Sequence, residues 1–461
     1  MSPIRSSGAP RGCHILLSIL LVLTGLAPAA LAQDTAPTEV PKTFPYDPHI
    51  ETLDNGLKVI LIPMSSGGLA AYWTIVRTGS RDEVEPGRTG FAHFFEHMMF
   101  RGTEKFPADA YNKLVTQIGA STNAFTTDDL TGYFLDIASE DIPTVMEIES
   151  DRFQNLAYPK DMFETEAGAV YGEYRKNRTN PFFYLFEAMT AAAFEEHTYG
   201  HTTMGYEEDI ANMPTLFDYS KGFFDRFYRP DNTVLVIVGD FEVGPVMEQV
   251  KQYYGEWEAG YQPPAVPTEP PQTEERRIDV QYPGPALPIA WMAYKVPAFD
   301  PTSVSQAAAR LLCDLTFGTT SAIYKKLVLE EQLVDFISAD ITPRRDPGTL
   351  DVLARIKDPA KVDQVLAEID RVIAEAKETP PDAQRLADLK SRLRYDFLMN
   401  LDTPAKVMSP LTRIIAVTGG LEAIDQMYHT IDQVTPEDVQ KAAQEYFEAS
   451  RRTVGVLRGE S

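Results

Sequence analysis

Two imidazoles and a carboxylate fall within five residues of this chain, in His93-Phe94-Phe95-Glu96-His97. On a helix, His93 and His97 project from one face a turn apart, the separation that a single tetrahedral metal ion can bridge. Glu96 sits one turn from His93, where a carboxylate is suited to take the proton of a metal-activated water rather than to bind the metal. The surrounding residues, Phe91, Ala92, Phe94, Phe95, Met98, Met99 and Phe100, leave no water-facing stripe, so a buried helix is predicted over 89–101. Burying these polar groups without partners would cost free energy that a bound ion offsets. A pair of core histidines, bonded to backbone or to Glu96, is the competing reading.

A hydrolytic zinc centre needs one more protein ligand and keeps one position for water. A helix expected over 161–178, with Asp161 and Glu164 resembling an N-cap pair, carries Glu166 and Glu173. These two acids are seven residues apart and share a face, and spacing alone does not choose between them. A second pair at four-residue spacing, His197 and His201 in His197-Thr198-Tyr199-Gly200-His201, includes glycine and threonine and reads as a loop instead of a second metal site.

The elements that must position these residues fall into two halves. Residues 260–274 are rich in proline and can form neither a helix nor a central strand. Segment 215–239 aligns without gaps on 435–459, with identical pairs such as Thr215/Thr435, Asp218/Asp438, Phe227/Phe447, Val234/Val454 and Gly239/Gly459. Each copy reads as helix, turn and strand. Strands are predicted at 57–63, 70–78, 133–138 and 289–295, and helices at 108–118, 303–315, 360–375 and 383–401. This mixture implies an α+β protein of two duplicated domains, each a mostly antiparallel sheet packed with helices. The expected organisation is a signal peptide at 1–32, an N-terminal metal-binding domain at 33–259, a linker at 260–274 and a C-terminal repeat domain at 275–461.

Composition bounds the rest. Hydrophobic residues make up 44% and charged residues 24%, a globular balance, and a net charge of −25 argues against nucleic acid as a partner. Arg5 and Arg11, the apolar run 15–23 and Ala30-Leu31-Ala32 have the three parts of a secretory signal, which predicts export to the periplasm. No later run approaches the length of a spanning helix, so stable membrane insertion is not expected. Cys13 leaves with the signal, and Cys313, beside Leu311 and Leu312, is expected to be a buried structural thiol.

Taken together, the sequence resembles the pitrilysin/insulinase family, the inverted-zincin peptidases that include mitochondrial processing peptidase. The resemblance covers nearly all of the mature chain. It rests on the run from Gly90 through His93, Glu96 and His97 to Gly102-Thr103, on Asn123-Ala124-Phe125-Thr126, and on Tyr228-Arg229-Pro230-Asp231-Asn232 before a strand. It implies a processing-peptidase/LuxS-like metallohydrolase fold and one Zn²⁺ per chain. The family's third ligand is a glutamate that lands on Glu173, 76 residues after His97. Glu166 then resembles the acid that orients a ligand histidine. Asn123, Ala124 and Phe125 are implied to form an exposed edge strand onto which a substrate peptide adds. The loop 197–201 matches a family loop with no ligand role.

One departure matters. Active members place an Arg and, seven residues later, a Tyr in the second half, whereas Val328 and Asp335 stand at those positions here. In some members zinc and the Arg/Tyr pair reside on different subunits. The resemblance therefore implies a zinc-dependent endopeptidase acting on peptides or unfolded segments, with Glu96 as the base. It further implies a heterodimer with a homologous subunit lacking the zinc motif, in preference to a homodimer. The alternative is a noncatalytic peptide-binding or structural subunit of the same fold.

Overall fold

Runs of β-branched and aromatic residues build two sheets in the computed structural model, which describes residues 40–460; the segment 1–32 read as a signal lies outside them. The first sheet contains β1 (His49–Thr52), β2 (Lys58–Pro63), β3 (Leu69–Val76), β4 (Ser121–Thr126), β5 (Thr131–Ala138) and β6 (Thr233–Gly239), in the order β1-β2-β6-β3-β5-β4. The second contains β7 (Arg276–Tyr282), β8 (Ile289–Val296), β9 (Val334–Ile341), β10 (Gly348–Ile356) and β11 (Arg452–Gly459), in the order β7-β11-β8-β10-β9. All pairings are antiparallel except β2 with β6 and β7 with β11.

These two orders superimpose strand for strand: β2 on β7, β6 on β11, β3 on β8, β5 on β10 and β4 on β9. The offset of 220 residues found at 215–239 also separates the starts of β3 and β8, and the starts of helices Ile142–Asn155 and Val362–Glu378. The chain is thus an α+β protein built twice from one plan. Repetition is legible in sequence at only one end because elsewhere each copy has diverged to fill a different core.

Each half also lends a helix to the other. Helix Pro181–Ala193 of the first half packs on β7 and β11, and helix Pro404–Thr418 of the second packs on β3 and β6. Leu185 and Met189 accordingly share a cluster with Val280, Ile289 and Leu457, while Leu411 and Ile415 share one with Ile60, Trp73 and Val236. Covering both faces of a central strand removes any need for alternation, which is why β6 is a continuous apolar run and buried throughout.

Most expected elements end within a residue or two of the observed ones. The helix predicted over 89–101 is α-helical at Phe91–Met98 and tightens to a 3-10 turn at Met99–Arg101. Asp161 and Glu164 do not form an N-cap pair. Helix Lys160–Asn177 begins after Pro159, whose extended backbone takes the cap position without a side-chain acceptor. Asp161 instead lies in the first turn, where a negative charge suits the helix dipole, and Glu164 pairs with Lys160 at 3.6 Å.

Residues 261–273 hold no helix or strand. They are pinned through Glu269, which accepts from the amides of Glu195 and His197 and from Lys295, at 3.0, 3.1 and 3.1 Å. Among the described residues no single helix is long and apolar enough to cross a membrane.

Candidate metal centre

Helix Phe91–Met98 starts at Gly90, whose φ of 89° is left-handed and where a Cβ would stand 2.7 Å from the Met204 carbonyl oxygen, so glycine is required there. The buried Glu83 carboxylate then accepts the Gly90 and Ala92 amides at 2.8 and 2.7 Å, satisfying helix-end donors that no neighbouring side chain caps. Aromatic contacts set the roll of the helix: Phe94 meets Phe163 at 5.0 Å between ring centroids, and Phe95 stacks on Phe223 at 5.3 Å. With those side chains committed to the core, His93, Glu96 and His97 are left on the other face.

That face meets helix Lys160–Asn177. Donor atoms of His93, His97 and Glu173 lie within 4.8 Å of one another, with His97 Nε2 3.4 Å and His93 Nε2 3.8 Å from Glu173 Oε2. Two turns earlier on the same helix, Glu166 Oε1 lies 2.9 Å from His97 Nδ1 and its other oxygen pairs with Arg101. Glu166 and Glu173 share a face, as their spacing required, yet they address opposite nitrogens of one ring.

Electrostatics separates the two imidazoles. Burial, and then the neighbouring His97, pushes His93 down to about 3, so it is neutral with a lone pair to offer. Its Nδ1 is buried without a hydrogen-bond partner. The hydrogen bond to Glu166 outweighs burial at His97 and raises its pKa. For Glu166, burial opposes ionisation, but the hydrogen bond from His97 and the charge of Arg101 hold the carboxyl below its usual range. A buried imidazole that resists protonation cannot pair with Glu173 as a cation. A divalent ion that takes a lone pair from each of the three donors is the partner this set fits.

Glu96 is largely enclosed. Burial raises its pKa, and a hydrogen bond from Thr126 Oγ1 to Oε2, at 2.7 Å, opposes that rise. Thr126 ends β4, the edge strand of the first sheet, in which Asn123 is exposed, Ala124 is buried and Phe125 packs edge-on against Trp73 at 6.1 Å. Arg101 and Thr126 both lie inside quoted motifs, but their contacts to Glu166 and Glu96 depend on chain pairings that spacing does not encode.

His197 and His201 are occupied elsewhere. His197 Nε2 lies 3.1 Å from Asp346 of the second half, and its Nδ1 accepts the Tyr199 amide at 3.0 Å. His201 Nδ1 meets the Thr202 carbonyl at 3.0 Å. Val328 is half-buried against the core, and Asp335 accepts from Arg355 Nε at 2.8 Å. In the second half, the residues 220 positions after His93 and His97 are Cys313 and Phe317, both buried in the core.

Residues 58–207 match the family described as Insulinase (Peptidase family M16), and residues 218–393 match the Peptidase M16 inactive domain. The chain belongs to the insulinase, or M16, peptidase family. It is similar to the zinc protease PqqE of Helicobacter pylori, 27% identical over 88% of this chain and 92% of that one. It is similar also to the mitochondrial-processing peptidase subunit beta of Dictyostelium discoideum, 24% identical over 86% and 85%. The crystal structure of a protease from Helicobacter pylori superimposes with a TM-score of 0.84 at 26% identity, over 90% of this chain and 99% of that one.

Proposed function

We propose that the chain is a zinc-dependent endopeptidase acting on peptides or unfolded segments, with His93, His97 and Glu173 holding one zinc ion and Glu96 serving as general base. The observation that carries this reading is the convergence of three donors from two helices within 4.8 Å, one of them a buried imidazole whose Nδ1 has no hydrogen-bond partner. Zinc, when bound there, supplies a Lewis acid that polarises a scissile carbonyl and makes a water more acidic.

The chain's own residues do the rest. Glu96, its pKa raised by burial, is a better proton acceptor than a surface carboxylate, so it takes a proton from the attacking water and delivers it to the departing amine. Glu166 holds His97 Nδ1 and so keeps Nε2 facing Glu173. At the sheet edge, Asn123, Ala124 and Phe125 receive an extended peptide, with main-chain hydrogen bonds for affinity and side-chain pockets for selection. In this reading 33–259 is the peptidase domain, 260–274 the linker and 275–461 the domain that encloses substrate and meets a partner. Residues 1–32 direct the chain to the periplasm.

Val328 and Asp335 support a heterodimer, because neither side chain supplies a cationic or phenolic donor to substrate. The partner is a homologous chain without the zinc motif that brings such donors. The same two residues favour a second reading, a noncatalytic peptide-binding subunit. A peptide-library assay read by mass spectrometry, with the zinc-loaded chain alone and with the partner, separates them. Cleavage that needs the partner and disappears in Glu96→Gln is the expected result. No cleavage under either condition with zinc fully bound establishes the noncatalytic reading.

A further inference from the structure

An edge strand bonded to one neighbour is free to drift unless something else fixes it. β4 is such a strand, yet its last residue holds the carboxylate on which the proposed chemistry turns, through Thr126 Oγ1 and Glu96 Oε2 at 2.7 Å. Both the side chain and the backbone of Thr126 hydrogen-bond to Glu96, and threonine's branched Cβ restricts the direction of the hydroxyl that meets Oε2.

The turn that follows Thr126 is clamped from both halves. Within it, the Thr127 amide donates to the Leu130 carbonyl at 2.8 Å. From the first half, Gly79 presses against it so closely that a Cβ would stand 2.2 Å from the Thr127 oxygen. From the second half, Arg344 pairs with Asp128 at 2.8 Å, and the Arg345 amide reaches the buried Asp129 at 3.3 Å. Arg344 and Arg345 lie in the connection between β9 and β10, far in sequence from the hairpin they hold.

We propose that Thr126 is a positioning residue for Glu96, and that Arg344 and Arg345 set the hairpin carrying it, so that alignment of the base depends on how the two halves meet. The proposal rests on the reading of Glu96 as general base.

The test uses the full zinc-loaded chain, with its partner where cleavage requires one. Thr126→Val keeps the branched shape and removes the hydroxyl, whereas Thr126→Ser keeps the hydroxyl. Thr126→Val is expected to lose about tenfold or more in kcat, with KM within about twofold and zinc content unchanged, and Thr126→Ser to keep the wild-type kcat. Arg344→Gln should lower kcat in the same way, and the double variant Thr126→Val/Arg344→Gln should fall well short of the product of the two losses, because both act through one carboxylate. A wild-type kcat in Thr126→Val, or equal losses in Thr126→Val and Thr126→Ser, overturns the proposal. Crystal structures of the zinc-loaded variants read the positioning without turnover. Glu96 rotated in Thr126→Val and in place in Thr126→Ser supports it, and Glu96 unmoved in Thr126→Val overturns it. A wild type that cleaves no peptide, by contrast, counts against the peptidase reading alone.

Discussion

Nδ1 of His97 lies 2.9 Å from Oε1 of Glu166, a contact between two helices that fixes one ring of the candidate metal centre. A carboxylate at Nδ1 keeps the proton there and leaves Nε2 as the lone-pair donor, which raises the basicity of the ligand nitrogen. Glu166→Gln keeps the shape and loses the charge. Zinc affinity, measured by competition with a chelator, should fall about 10- to 100-fold while Glu173 is untouched.

Glu96 is expected to act on protons and not to hold the metal. Glu96→Gln should therefore retain a full complement of zinc and lose about 100- to 10,000-fold in kcat, read by steady-state kinetics beside metal analysis. Loss of zinc in that variant would move Glu96 from base to ligand.

Beneath the candidate centre lies a buried ion pair. Arg152 and Glu149 are 2% and 0% exposed and directly bonded, and the guanidinium is ringed by Phe100, Tyr111, Tyr133 and Phe153 at 4.9 to 5.3 Å. Tyr133 in turn donates to the Phe95 carbonyl, tying the pair to the helix that carries His93. Glu149→Ala leaves the guanidinium without its countercharge and should cost about 3–5 kcal/mol in denaturant unfolding.

Asp129 joins the halves and gives stability a dependence on pH. Burial, and then Asp128, pushes its carboxyl up to about 6, whereas in an unfolded chain it titrates near about 3.9. Between those values the folded chain binds a proton that the unfolded chain does not. The contribution of Asp129 is thus full below the lower value and is lost as pH rises through the upper one. Relative to Asp129→Asn, the wild type should lose about 2 kcal/mol from about pH 4 to about pH 6.5 in urea unfolding series. Parallel curves would show that Asp129 does not titrate there.

The candidate centre was legible in sequence because its chemistry is local. His93, Glu96 and His97 sit within two turns of one helix, and an all-apolar surround announces burial. Glu166 and Glu173 could be placed on one face by spacing, but which of them joins both Nε2 atoms and which meets the far side of the His97 ring depends on how two helices cross, and only the family resemblance favoured Glu173 as the ligand. Arg101 and Thr126 act across chain pairings that no periodicity encodes. The exchange of helices Pro181–Ala193 and Pro404–Thr418 escaped for a similar reason: an apolar face predicts burial without saying against which sheet. The pair His197 and His201 showed the converse. Four-residue spacing matches a metal pair only when both residues lie on one helix, and here they flank a 3-10 turn with separate partners.

The most direct measurement is anomalous diffraction at the zinc absorption edge, from crystals of the chain grown with zinc. One peak per chain is expected, enclosed by His93, His97 and Glu173, and absent from His97→Ala grown in the same way. A well-ordered structure without a peak at that position, or with a peak there that persists in His97→Ala, would contradict the account.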